Sequence, residues 1–237
     1  MAHKISRATL DIMERKVKFA EGEYYHLFSR GVEKRKIFLE KKDYERFLAL
    51  LFILNQEDHF HVSNFLNKGH NDILDLYKLK RSKPLVSILA YSLMPNHSHL
   101  VVQEIQENGI STFMMKLLTA YSMYFNKKNE RSGPLFVHPF RSQHVADDSY
   151  FLYIFSYVHL NCIDLCEKGW KESGIKDRKR ARDFLENYRY SSYPDTSGVQ
   201  DRVEALILDI RNLPAFVSRA TLDISQLTNS VDCTFFD

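Results

Sequence analysis

Apolar positions along the chain recur with two different periods, and the switches between them mark out the elements. Residues 23–30, EYYHLFSR, form an aromatic-rich run that predicts a strand, and the charged turn GVEKRK follows it. From about 42 to 55, apolar residues at 47, 48, 51, 52 and 54 recur at helical spacing. PLVSILAYSLM (84–94) and HSHLVVQE (97–104) predict two strands, and the short Pro95-Asn96 connection between them implies antiparallel neighbours. In 110–129, ISTFMMKLLTAYSMYFNKKN, positions 110, 113, 114, 117, 118, 121 and 125 make one helical stripe. FRSQHVA (140–146) predicts a short strand. Asp147 and Asp148 are good N-cap residues for a helix over 149–168, SYFLYIFSYVHLNCIDLCEK, that stops before Gly169.

The order strand, helix, strand, strand, helix, strand, helix is the ferredoxin-like βαββαβ pattern with an additional C-terminal helix, an α+β domain on a mainly antiparallel sheet. The pattern places this domain at 20–195, after an N-terminal extension (1–19) and before a tail (196–237). Within the domain, 56–84 is longer than an ordinary connection and reads as an insertion. The charged run KESGIKDRKRARD (171–183) reads as a solvated linker or helix face. QDRVEALILDIRN (200–212) predicts a short helix, so the tail is expected to be partly helical, as an appendage or packed on the main domain. No internal repeat or low-complexity segment interrupts this order.

Composition changes the picture little. At 237 residues and 44% hydrophobic, the chain can bury a substantial core. No apolar run approaches the roughly 20 residues that span a bilayer, and the amino terminus lacks the apolar region of a secretory signal, so a cytoplasmic setting is expected, with no membrane partner. Cys162, Cys166 and Cys233 provide no disulfide framework. The net charge of +3 permits nucleic-acid binding without requiring it.

Candidate chemistry lies in AYSLMPNHSHLVVQ (90–103). Residues two apart on a strand share a face, so His97 and His99 project side by side with the spacing to share one ligand. A second HxH, His59 and His61, falls at a helix end or in the loop beyond, where two-apart residues do not face each other. On the last helix, Leu152, Phe155, Val158, His159, Cys162, Leu165 and Cys166 form the expected buried stripe. Tyr150, Tyr153, Tyr157, Asn161, Asp164 and Lys168 fall opposite. That second face is readable as a wet surface with amphipathic rings. It is also readable as half of a metal site: a hard divalent cation accepts imidazole nitrogen and amide oxygen together, so His97, His99 and Asn161 would leave positions open for a phosphate oxygen, with Tyr157 one turn from Asn161. A phenol beside such a cation suits covalent phosphoryl transfer.

These residues carry a resemblance. AYSLMPNHSHLVVQ resembles the MPNHxHL signature of the single-tyrosine HUH transposases, a group that includes small insertion-sequence transposases and REP-associated tyrosine transposases. In the family's order, YYHLFSRGVEKRKIF resembles the opening strand with its Ser-Arg-Gly. AYSMYFNKKNERSGPLFVHPFRS resembles the second helix, the Ser-Gly-x-Leu-Phe loop and the Arg-containing strand. YVHLNC resembles the helix motif YIHLNP, and YRYSSYPD the Ser-Ser-Tyr segment. The resemblance covers roughly 20–195 and implies cleavage and joining of single-stranded DNA at imperfect hairpins, with Mg²⁺ or Mn²⁺ as cofactor. His97 and His99 would be metal ligands, Asn161 the third ligand, and Tyr157 the nucleophile that forms a 5′-phosphotyrosine bond and releases a 3′-OH.

The basic residues beside these motifs, Arg30, Lys34, Arg35, Lys127, Lys128, Arg131 and Arg141, are the candidate DNA contacts. Relatives act as monomers or as dimers with shared sites, which leaves a homodimer open. One departure is Cys162, where the family has proline; it predicts a straighter helix and a displaced Asn161. A host-retained DNA- or RNA-binding protein without chemistry and a metal-dependent phosphoesterase are the competing readings.

Overall fold

The structure is a computed structural model and describes residues 18–67, 72–137, 140–217 and 227. Four strands, β1 (Tyr24–Arg30), β2 (Val86–Met94), β3 (His97–Glu104) and β4 (Arg141–Val145), form one sheet in the order β2-β3-β1-β4, and every pairing is antiparallel. With α1 (Lys41–Ile53) and α3 (Gly109–Lys128) as crossovers, this is the ferredoxin-like arrangement expected from the pattern. The short helix α2 (Val62–Asn67) and a 3₁₀ segment, Ile73–Lys78, lie in the inserted stretch.

The two faces of the sheet are covered differently. Tyr25 and Leu27 of β1 and Leu100 and Val102 of β3 are buried with Phe47, Leu51, Phe113 and Leu117 of the two crossover helices. On the other face, Val101, Leu89 and Ala90 are buried against Phe151, Ile154, Phe155 and Val158 of α4 (Asp148–Leu160). A register shift between Ile88 and Ala90 lets β2 present consecutive residues, Leu89 and Ala90, to this second face. Strand period two therefore sends His97 and His99, in step with Val101, to the α4 side.

The last core helix is shorter than its sequence pattern predicts. The α-helix ends at Leu160 and the chain tightens into a 3₁₀ segment over Asn161–Leu165, instead of running to 168. The tightening supplies partners for terminal carbonyls, with Cys166 N–H donating to Ile163 O at 2.9 Å. The register consequently slips beyond 160: Leu165, expected in the buried stripe, is 41% exposed, whereas Asn161, expected on the wet face, is buried. The winding changes without a proline, and Cys162 is fully buried there with its thiol donating to His159 O.

Beyond this point, α5 (Trp170–Ser173), α6 (Arg178–Asn187) and α7 (Tyr193–Thr196) pack beside α4. The charged run is thus two short helices, held by buried Trp170, Ala181 and Leu185. Ser191 forms a bridge with Ser92 at the edge of β2, where Leu93 N–H donates to Tyr190 O and Ser192 N–H to Tyr91 O, so the Ser-Ser-Tyr segment covers a sheet edge.

The helix predicted over 200–212 is instead two 3₁₀ turns, Val203–Ile207 and Ile210–Asn212. The segment lies against the domain: Ile207 enters the main core and Asp209 N–H donates to Ile88 O. The remainder of the tail except Leu227, with Cys233, and residues 1–17 lie outside the described residues. Among described helices, none is long and apolar enough to cross a membrane.

Candidate active site

The Pro95-Asn96 turn sets the position of the histidines. Pro95 O accepts from Ile37 and Phe38 N–H, and Asn96 O accepts from Gly31 N–H at 2.9 Å, tying the β2–β3 hairpin to the end of β1. Gly31 is required by close approach, since a Cβ there would sit 2.4 Å from Arg35 O. The Ser-Arg-Gly triplet is thereby divided: Ser29 is buried, Arg30 reaches the cleft, and Gly31 permits the turn.

His97 and His99 stand on one face with ring centroids 5.0 Å apart. Each ring has its Nδ1 engaged. His97 Nδ1 donates to Asn96 Oδ1 at 2.6 Å, and His99 Nδ1 lies 2.9 Å from Nε2 of His26 on β1. With Nδ1 of each ring as the donor, both Nε2 lone pairs are directed away from the strand, the tautomer a metal ligand needs.

Asn161 Nδ2 donates to His99 Nε2 at 3.2 Å. Burial pushes His97 down to about 4, helped by the charges of Arg30 and Lys171, and pushes His99 well below its ordinary range, so both are neutral near pH 7. Two neutral imidazoles, with the Asn161 amide turned over to present its oxygen in place of the nitrogen that now faces His99, form a donor set that fits a divalent cation with open positions. Among the described residues no group of three or more His, Cys, Asp and Glu side chains is arranged to hold a metal, so the amide is needed to complete a third donor.

Tyr157 completes the cluster from α4. Its ring meets His99 edge-on at 5.5 Å and His26 at 6.0 Å, and Asn161 N–H donates to Tyr157 O one turn along. The tyrosine and the histidines thus come together within a single chain. Lys171, from α5, donates to the Tyr157 hydroxyl oxygen at 3.3 Å and sits 4.8 Å from the ring centroid. These residues line a cleft of about 710 Å³ whose walls also include Arg30, Arg141, Gln143, Tyr150 and Tyr153.

Of the seven candidate DNA contacts, Arg30 and Arg141 line this cleft, with Arg141 over the ring of Phe28. Lys34 and Lys127 are exposed away from it, and Arg35 approaches Glu33. Arg131 donates to Asn126 Oδ1 and to Pro134 O, closing the loop after α3. Lys128 is committed to Glu40 and to the fully buried Asp43 at 2.7 and 2.5 Å, which accounts for its charge without DNA. His59 and His61 are exposed beside α2, far in sequence from the cluster.

Three contributors were missed by sequence reasoning. His26 lies on β1 inside the YYHLFSRG stretch, and only cross-strand register places it beside His99. In sequence Lys171 reads as part of a solvated run, because its approach to Tyr157 depends on the turn at Gly169, where φ is +75°. His159 was placed in the core without a partner. Its Nδ1 donates to Phe155 O and its Nε2 accepts from Ser192 Oγ, both at 2.9 Å, so it fastens α4 to the segment on the sheet edge and holds Tyr157 and Asn161 in place.

The fold and cleft define an antiparallel α+β domain in which a paired-histidine strand faces a tyrosine on a helix of the opposite layer. Residues 65–164, which include both histidines, Tyr157 and Asn161, match the family model described as "Transposase IS200 like". The first strand and the Ser-Ser-Tyr segment lie outside the matched residues. Among solved structures, the REP-associated tyrosine transposase bound to a REP hairpin is similar at 10% identity and a TM-score of 0.47, over 81% of this chain and 89% of that one. No curated protein matches the chain.

Proposed function

We propose that this protein is a single-tyrosine transposase that cleaves and rejoins single-stranded DNA at hairpin-bearing sites through a 5′-phosphotyrosine intermediate on Tyr157. The observation that carries the reading is the meeting, in one cationic cleft, of Tyr157 with His97 and His99, with buried Asn161 directly behind His99. The Tyr157 phenolic oxygen attacks a DNA phosphorus, a bond forms between that oxygen and phosphorus, and the bond from phosphorus to the 3′ oxygen breaks. The phenolic proton is lost and the 3′-OH leaves with a proton, so one phosphodiester replaces another and no ATP is consumed.

His97, His99 and Asn161 would hold Mg²⁺ or Mn²⁺, and the bound cation would supply Lewis-acid polarisation of the phosphate. Arg30 and Arg141 contact phosphates beside the reacting one, while Lys34, Arg35 and Lys127 serve flanking DNA. Lys171 orients the Tyr157 oxygen and offsets the negative charge that returns to it when the strand is rejoined.

The test is a denaturing-gel assay for a covalent adduct, using single-stranded oligonucleotides tiling the gene's own flanks, with Mn²⁺ or EDTA. An adduct that requires metal and vanishes in Tyr157→Phe is the expected result. An adduct that survives Tyr157→Phe would assign the nucleophile elsewhere. Hydrolysis of small phosphodiesters without an adduct would favour a phosphoesterase, and binding without either would favour a silent nucleic-acid-binding protein.

A further inference from the structure

The tyrosines that precede the nucleophile on its own helix, Tyr150 and Tyr153, have no part in the chemistry above. Both are half-buried and both line the cleft. Tyr150 stacks on Tyr153 at 5.9 Å with 14° between planes, and Tyr153 stacks on Tyr157 at 6.4 Å with 15° between planes. Three nearly parallel rings therefore form a continuous aromatic strip that ends at the nucleophile.

Seven residues of α-helix rise ~10 Å, about three nucleotide steps of ~3.4 Å each. The cleft around the strip carries Arg30, Arg141 and Lys171 against one carboxylate, Glu172, a balance suited to a polyanion. At the far end of the strip, Asp147 caps the helix and Asp148 opens it, so the cationic stretch is bounded there.

We propose that Tyr150 and Tyr153 are a stacking platform for the unpaired bases next to the phosphate attacked by Tyr157, with Arg141 on the accompanying backbone. The inference rests on the proposed function and adds the part of the site that grips bases. Flat rings with nearby cations bind single strands with little sequence preference, because every base offers a π face. A wet surface with amphipathic rings would account for each tyrosine alone. It does not account for their lying along a cleft lined by Arg30, Arg141 and Lys171 and ending at the nucleophile.

The experiment measures binding in EDTA by fluorescence anisotropy, in a Tyr157→Phe background that excludes covalent capture. The probes are a labelled oligothymidylate of about a dozen nucleotides, the same strand carrying abasic sites, and a duplex of equal length. Replacing both platform residues, Tyr150→Ala with Tyr153→Ala, is expected to weaken oligothymidylate binding about tenfold or more, while Tyr150→Phe with Tyr153→Phe stays within about twofold. The salt dependence is expected to be unchanged in the alanine pair and reduced in Arg141→Gln.

The abasic strand removes any ambiguity from misfolding, since the unsubstituted platform is expected to prefer the base-bearing strand about tenfold and the alanine pair to show no preference. Equal affinity for base-bearing and abasic strands, with single-strand binding intact, would overturn the platform and leave the proposed function standing. Absence of any single-strand binding would remove both.

Discussion

At the scale of single residues, the site is organised by groups that fix other groups. His26 and Asn96 set the tautomers of His99 and His97, and Lys171 holds the Tyr157 oxygen. Lys171→Met is expected to slow adduct formation by about 10- to 100-fold, with Lys171→Arg keeping more of the rate, and to leave the melting temperature nearly unchanged because the side chain is on the cleft wall. Single-turnover rates beside thermal melts check this. Burial also sets an acid limit on stability. It pushes both His159 and His26 down from 6.5 to about 4. Between those values the unfolded chain binds more protons, so stability is complete above about 6.5, falls on acidification toward 4 and levels off below it, with a loss on the order of 3 kcal/mol per histidine at most. Urea midpoints followed from pH 7 to 4.5 are expected to fall, and to fall less in His159→Gln whatever its stability at pH 7.

At the scale of elements, charge serves the junction of α1 with α3. Burial alone would raise the Asp43 carboxyl, but Lys128, the Leu39 and Glu40 amides and Tyr124 outweigh it and hold it below its ordinary value. Lys128→Met is expected to cost about 1–3 kcal/mol, by leaving a buried carboxylate short of its cation, with DNA affinity unchanged. A urea denaturation and a binding titration on the same variant separate this role from a DNA contact. The helices and strands themselves were legible in the sequence because period two and period 3.6 are set by local geometry. The end of α4 was not, because an apolar stripe runs on past Leu160 in the sequence while the backbone tightens to 3₁₀. Nor was the tail: Ile207 reads as one position of an amphipathic helix, yet it is buried from a 3₁₀ turn that packs on α1, more than 100 residues earlier in the chain.

For the whole molecule, the tyrosine and the histidines belong to one cleft of one chain. An equimolar mixture of Tyr157→Phe with His97→Ala/His99→Ala is therefore expected to form no adduct, whereas a site shared between two copies would restore about a quarter to a half of it on statistical mixing. The same adduct gel reads the outcome. The segment after Thr196 also belongs to the domain: Arg202 makes a bidentate pair with buried Asp195 at 2.6 and 2.8 Å and donates to the carbonyls of Arg189 and Ser191. A boundary at 195 would divide that pair.

By itself the sequence determined the order of elements, the antiparallel α+β class and the shared face of His97 and His99, since these depend on spacing along a few neighbouring residues. It also presented Tyr157 and Asn161 one helical turn apart. Only the tertiary structure decided which faces meet: that α4 covers the sheet opposite the crossover helices, that His26 lies beside His99, and that Lys171 returns from the following helix to Tyr157. The contact of His26 with His99 alone joins residues 73 positions apart. Such contacts follow from strand register and layer packing, which no local period encodes.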